Sequence, residues 1–382
     1  MTRLRYLIFI LLCVLQIHAR SQPDFKAIDK WARQAPADLA TDLPSLTPYL
    51  TQKAANETEK LRAIFAWVVT HIVYDRAAAL REHPTNRSIG EILRDQKAIC
   101  LGYAQLIARM CELAGLEAEV ISGYSKDLPT SKPMLEEPDH AWNAVKVDGK
   151  WQLLDATWAA AWYNYKYKQG LNPEVEPYFL APPRQFIHAH LPAQPWWQLL
   201  DPPISVALFQ AGADSIRLHF STAPSGYFFG DTIATFRALP PARKRVREFE
   251  AAWQFQPSAA NRQQYVNALM EVAGAWTDSL AAFETPALLD TLIPQQKRLL
   301  AWCRYAGSLG SLLPWHQELY AEVLINHTVA LYQKTGGSPS PSQRKEMMGL
   351  LEEAETVLIH TPESYYTKMA LRRCREYKGV LK

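Results

Sequence analysis

Between Leu101 and Ala114 the apolar residues Leu101, Ala104, Ile107, Ala108, Cys111 and Ala114 recur at steps of three and four, and Gly115 follows as a stop. This is the spacing of a buried helix, and it sets Cys100 at the helix N-terminus. An earlier stretch, residues 57–70, carries Leu61, Ile64, Phe65, Val68, Val69 and Ile72 on one face, so one side of a second helix is expected to be core. Trp67 lies off the centre of that stripe, where it packs on another element or lines a cleft; packing is the expectation. Before it, prolines 36, 44 and 48 break the chain into a lead-in with a small helix over residues 25–33, and residues 89–94 form a short helical piece that delivers the chain to Cys100.

Past Gly115 the period changes to two. Residues 117–124 read as a strand, and residues 140–147 and 150–158 as two more, joined by the two-residue turn Asp148-Gly149. With that turn, Val147 pairs with Lys150, Trp142 faces Asp155 and His140 faces Thr157. Side chains alternate across a strand, so His140, Trp142, Asp155 and Thr157 share one sheet face. His140 and Asp155 become diagonal neighbours about 7 Å apart at the backbone, within reach of an imidazole-carboxylate hydrogen bond.

Asp201-Pro202-Pro203 marks a boundary. Residues 201–245 are read as a linker with a small β element, because Ile216, Leu218 and Phe220 alternate and residues 232–236 offer a partner strand. Residues 246–382 turn helical: Tyr265, Val266, Leu269, Val272 and Trp276 form one stripe, and Met347, Leu350, Leu351, Ala354 and Leu358 another. Helices are expected near 315–333, 343–359 and 362–376, the last with Thr361 as cap and Pro362 as first residue. No repeat signature appears, so this part is an α-helical accessory domain.

Composition narrows the class. With 382 residues, 48% of them hydrophobic, the chain has room for two domains with packed cores. Residues 1–21 stand apart: Arg3 and Arg5 precede an apolar run from Tyr6 to Ile17, and Ala19-Arg20-Ser21 supplies small residues for cleavage, the form of a secretory signal peptide. Cys13 lacks the small residue expected before a lipidated cysteine, so a released secreted or periplasmic protein is expected. No later stretch is long and apolar enough for a membrane span. Removing Arg3, Arg5 and Arg20 leaves the 38 acidic residues matched by 38 basic ones, which argues against nucleic acid as a partner. The best basic patch, Arg243-Lys244-Arg245-Val246-Arg247, reads as a solvated loop or helix start.

Cys100, Cys111, Cys303 and Cys374 do not make a disulfide framework. The first two are three turns apart on one helix, and an exporting compartment would permit, without requiring, a Cys303–Cys374 bond. His188 and His190 lack the companion ligands of a metal site, and Trp196-Trp197 reads as packing. No cofactor is called for. What stands out is Cys100, where the helix dipole stabilises a thiolate, followed by a His140–Asp155 pair on one hairpin face: nucleophile, base and orienter.

At these residues the sequence resembles the transglutaminase-like superfamily of papain-like cysteine enzymes, and more narrowly the bacterial kyphoscoliosis peptidase-like proteins. The resemblance rests on Ala66-Trp67, Ile72, Tyr74-Asp75, Cys100-Leu-Gly102-Tyr103-Ala104, His140-Ala-Trp142-Asn143 and Trp151 to Trp158, and extends over roughly residues 25–205 with Tyr178-Phe179-Leu180, His190-Leu-Pro192 and Trp197 to Leu200. It implies an α+β fold with a papain-like, transglutaminase-like core over residues 22–200, in which the Cys100 helix packs on an antiparallel sheet. It implies a triad in which Cys100 attacks a carbonyl, His140 exchanges protons and Asp155 orients His140. The acyl group then passes to water or to an amine. One departure is Ala98, where many relatives have glycine, which would tighten the approach to the cleft. For the oxyanion the Cys100 N–H is the first donor, with Trp67 or Gln96 as candidates for the second. The expected activity is on amide bonds of protein or cell-wall peptide, hydrolysis slightly favoured over amine transfer. The alternative is a catalytically idle scaffold, with the helical C-terminal part holding a protein partner.

Overall fold

The computed structural model describes residues 24–81, 87–126, 136–166, 175–222, 226, 229–280 and 288–382. The expected leader over residues 1–21, with Cys13, lies outside the described residues. No helix among the described residues is long and apolar enough to cross a membrane. The chain forms two units, one from the residues up to Ser122 together with Asp139–Ala189, the other from Gly123–Pro138 and His190–Lys382. The break thus falls about ten residues before the expected boundary at Asp201-Pro202-Pro203.

In the first unit the helix Glu57–His71 is central. Asn56 starts it by accepting the Glu59 N–H at 2.9 Å. Every residue from Leu61 to Val69 is buried, rather than one face only. The cause is its neighbours: the helices Lys26–Arg33, Leu43–Thr51, Cys100–Leu113 and Ala156–Lys166 all pack on it. Such burial takes in Arg62, which is 1% exposed. Its guanidinium donates to both Asp29 oxygens, at 2.7 and 2.8 Å, and to both Glu176 oxygens, at 3.0 and 2.7 Å. The rings of Phe25 and Phe179 flank it at 4.8 and 4.9 Å. A buried cation is tolerated because two carboxylates use its donor fork.

The hairpin follows the expected register, with Val147 opposite Lys150 and the pairing continuing to Asn143 opposite Leu154. Its turn residues Asp148 and Gly149 have φ of 49° and 74°, the two left-handed positions of a tight hairpin turn. The second strand ends sooner than expected. It covers Lys150–Leu154, and the chain then enters the helix Ala156–Lys166, so Thr157 is helical and not a strand partner of His140. The reason is Asp155, whose Oδ1 accepts the N–H groups of Thr157 at 2.8 Å and Trp158 at 3.0 Å and so caps that helix.

Among the described residues the second unit is mainly helical, with one short antiparallel pairing of Gly123–Ser125 with His190–Pro192. The expected β element is not found among the described residues: Ala213–Thr222 and Phe229–Arg237 are helices. Leu218, expected to face inward with Ile216, is 64% exposed, while Ile233 and Phe236, three apart, are both buried. Helical spacing describes these positions and alternation does not. Six helices follow, from Pro241–Phe255 to Tyr365–Leu381, around a core built on Tyr265, Leu269, Leu324, Leu351 and Leu358. The last helix starts at Tyr365 and is capped by Ser364, not Thr361, whose hydroxyl is engaged with Gln317 and the Val357 carbonyl, each at 2.9 Å. Cys303 and Cys374 are free and buried. The molecule is therefore α+β, with a helical C-terminal part.

Candidate active site

The Cys100 thiol is positioned by tight packing on both sides of the helix start. The preceding residues Lys97–Ala98 run parallel to Val73–Tyr74, and the Asp75 N–H donates to the Ala98 carbonyl at 2.9 Å. Ile99 occupies the N-cap in extended conformation and has no side-chain acceptor, so no cap consumes the first-turn N–H groups. Two residues on, Gly102 must be glycine: a Cβ there would lie 2.9 Å from the Ala98 methyl and from Ile92 Cδ1. The Ala98 methyl is thus turned inward, and the expected narrowing of the cleft does not arise from it. The Tyr103 hydroxyl donates to the Ile72 carbonyl at 2.5 Å.

His140 and Asp155 meet as the hairpin register requires. His140 Nε2 lies 2.8 Å from Asp155 Oδ2, with both side chains buried. Asp155 divides its carboxylate, Oδ2 to the imidazole and Oδ1 to the helix it caps. The His140 ring lies between Trp142 and Trp158, each 5.7 Å away centre to centre. Burial by itself would lower the imidazole pKa. The Asp155 charge and hydrogen bond outweigh it, and a hydrogen bond and charge from Cys100 act in the same direction, so the pKa lies well above the ordinary histidine value. Nε2 being held by Asp155, Nδ1 is the ring nitrogen left for the thiol.

A third residue fixes the thiol helix to the histidine strand. Asn143, buried, donates through Nδ2 to the Ala104 carbonyl at 2.9 Å and to the Glu119 carbonyl at 3.3 Å. Its place in the motif was visible in the sequence, but its partners are backbone atoms and leave no sequence signal. Among the described residues no hydrogen bond joins Trp67 or Gln96 to Cys100 or His140. Trp67 is buried and stacks on His71 at 4.8 Å, and its indole nitrogen has no partner. Gln96 sits with φ of 50° at the end of the helix Ile89–Asp95, its side chain exposed and its carbonyl accepting from the Val73 N–H. Elsewhere, Trp196 and Trp197 pack against Phe236, at 5.5 and 6.3 Å. The basic cluster lies on the helix Pro241–Phe255, where Arg245 pairs with Glu271 and Arg247 with Glu250.

A helix-start cysteine beside a buried histidine-aspartate pair on an antiparallel hairpin defines a class, and sequence comparison agrees. Residues 44–156, which contain all three side chains, match the family model of the transglutaminase-like superfamily, and this region of the chain is a domain of that superfamily. The kyphoscoliosis peptidase of Homo sapiens is 39% identical over 188 residues, 49% of this chain and 28% of that protein. Hillarin of Drosophila melanogaster is 30% identical over 200 residues, 49% of this chain and 24% of that protein. The chain therefore spans only about a quarter of the length of these curated relatives. A crystal structure of a TGase aligns with 40% of this chain and 37% of its own, at 23% identity and a TM-score of 0.25.

Proposed function

We propose that the protein is an exported cysteine enzyme that acts on amide bonds of protein or cell-wall peptide through a Cys100 thioacyl intermediate, with hydrolysis favoured over amine transfer. The observation that carries the reading is the 2.8 Å contact of His140 with Asp155 beside a cysteine at an uncapped helix start. Export rests on the leader-like residues 1–21. In the reaction the Cys100 sulfur attacks the amide carbonyl carbon, and the oxyanion formed is met by N–H groups at the helix start. His140 gives its Nδ1 proton to the departing amine as the carbon–nitrogen bond breaks, leaving a thioester. Neutral His140 then takes a proton from water, or from an amine, as that acceptor attacks the thioester and frees the sulfur. Asp155 keeps the ring oriented and stabilises its charged form.

The test is incubation with a peptide library, with and without a primary amine, followed by mass spectrometry. Cleaved peptides without amine, absent with Cys100→Ala, support hydrolysis. Amine-coupled products alone would replace hydrolysis with transfer. No product in either arm, with equal labelling of wild type and Cys100→Ala by a thiol probe, would leave an idle scaffold.

A further inference from the structure

In the first unit one buried peptide group is gripped on both edges by residues that flank Cys100. The Ile72–Val73 peptide is trans, so its N–H and its C=O point in opposite directions. The Val73 N–H donates to the Gln96 carbonyl at 2.9 Å, and on the other edge the Ile72 carbonyl accepts the Tyr103 hydroxyl at 2.5 Å. Gln96 lies four residues before the cysteine and Tyr103 three after it. Ile72 and Tyr103 are both buried, so loss of the hydroxyl would take this bond from the carbonyl where no water replaces it. Burial, with Tyr74 and Asp155 nearby, pushes the Tyr103 phenol well above the usual tyrosine value, and the hydroxyl keeps the proton it donates.

The next residue of the same helix is held as well. The Ala104 carbonyl accepts from Asn143 Nδ2 at 2.9 Å, and that amide also reaches the Glu119 carbonyl at 3.3 Å. The two grips run to different elements, one to the end of the helix Glu57–His71 and the other to the strand His140–Val147 that carries the histidine. A single tether leaves a helix free to swing about it. Two tethers to separate elements fix both its tilt and its rotation, at the turn where the sulfur emerges.

We propose that Tyr103 and Asn143 are positioning residues that hold the Cys100 sulfur in line with His140, an inference that rests on the thioacyl reading of the site. Both side chains are spent on backbone carbonyls, so they act through the placement of the cysteine, and a misplacement of about 1 Å costs on the order of 10²-fold in rate. The test uses the full chain and iodoacetamide, read by mass spectrometry at Cys100, with Cys100→Ala giving the background of the other thiols. Wild type should be alkylated at neutral pH at least about tenfold faster than glutathione. Tyr103→Phe removes one oxygen and keeps the ring; it should slow the alkylation at least about fivefold and lower kcat on a cleaved peptide with KM unchanged. Loosening alone would expose the sulfur and raise the rate, so the sign separates alignment from stability. Asn56→Ala, which removes the cap of the helix Glu57–His71, is the stability control: a lower urea midpoint with the wild-type alkylation rate. Asn143→Ala should repeat the fall, and it carries the test if Tyr103→Phe does not fold. A wild-type rate no faster than that of glutathione overturns the activated-thiol reading and the inference with it. A fast wild type matched by folded Tyr103→Phe, or by Asn143→Ala, overturns the inference alone.

Discussion

In the first unit His140 is buried and held charged, because Asp155 and Cys100 stabilise the imidazolium by more than burial disfavours it. In the second unit His316 and His327 are buried and held neutral: burial pushes each down to about 4, and among the described residues no carboxylate hydrogen-bonds to either ring. His316 Nδ1 accepts the Leu313 N–H at 3.1 Å and caps a helix, while His327 Nδ1 meets the Gln296 side-chain oxygen at 3.3 Å. The cysteines divide by environment and not by unit: Cys111, in the first unit, is buried and its thiol pushed up to about 12. Cys100 is partly exposed at a helix start, whereas Cys303 and Cys374 are buried and their thiols pushed up to about 12 and about 11. The same residue types are thus held charged where a charge partner is supplied and neutral where it is not.

The largest effect should come from removing that partner. Asp155→Asn keeps an acceptor for the helix cap but removes the charge, and is expected to lower kcat/KM about 10²–10⁴-fold, while Cys100→Ala abolishes turnover. His140, titrated by NMR, should then show a lower pKa in Asp155→Asn; an unchanged pKa would break the comparison. Next is Arg62. Arg62→Ala leaves Asp29 and Glu176 without their cation in the first unit and should cost about 3–5 kcal/mol in denaturant unfolding. Arg62→Met should cost less only if Asp29 is also neutralised.

The histidines predict opposite pH dependence. The folded-state pKa of His140 is raised, so its contribution is fully present below the unfolded value of 6.5 and is lost as pH rises through the folded value. Those of His316 and His327 are lowered, so their contributions are present above 6.5 and are lost as pH falls from there towards about 4. The acid loss should reach roughly 2–3 kcal/mol for each. His316→Asn, which retains a cap acceptor and cannot titrate, should remove its share. Thermal melts between pH 4 and 7 that do not differ between the variant and wild type would contradict this.

How much of this was legible in the sequence depended on whether the signal was local. The hairpin register was readable because an Asp-Gly turn fixes every pair after it, and His140 met Asp155 as a result. The end of the second strand was not, because Asp155 has two oxygens and one of them starts a helix. The burial of Glu57–His71 on all sides depends on four other helices that no single stripe reveals. In residues 213–237 a short run of alternating apolar residues was outweighed by helical packing of Ile216, Ile233 and Phe236. Asn143 holds two carbonyls, and a carbonyl is the same at every position in a sequence.

The smallest predicted effect compares two helix caps. Asp155 caps one helix and also holds His140, whereas Ser364 caps the last helix by accepting the Thr367 N–H at 3.0 Å and, among the described residues, otherwise meets Glu318 and the Thr367 hydroxyl. A cap with no reacting partner should affect stability alone. Ser364→Ala is expected to cost about 1 kcal/mol, within the range for a serine N-cap, and to leave both turnover and the His140 titration unchanged. Asp155→Ala should lower stability and turnover together, and Asp155→Asn should separate the two, because the amide oxygen still caps while the charge is gone. Equal loss of turnover in Ser364→Ala would show that the helical unit's integrity, and not the carboxylate, sets the activity. Unfolding by urea and single-turnover kinetics on the three variants decide between these outcomes, since the cap contribution is common to both helices and only the histidine contact differs.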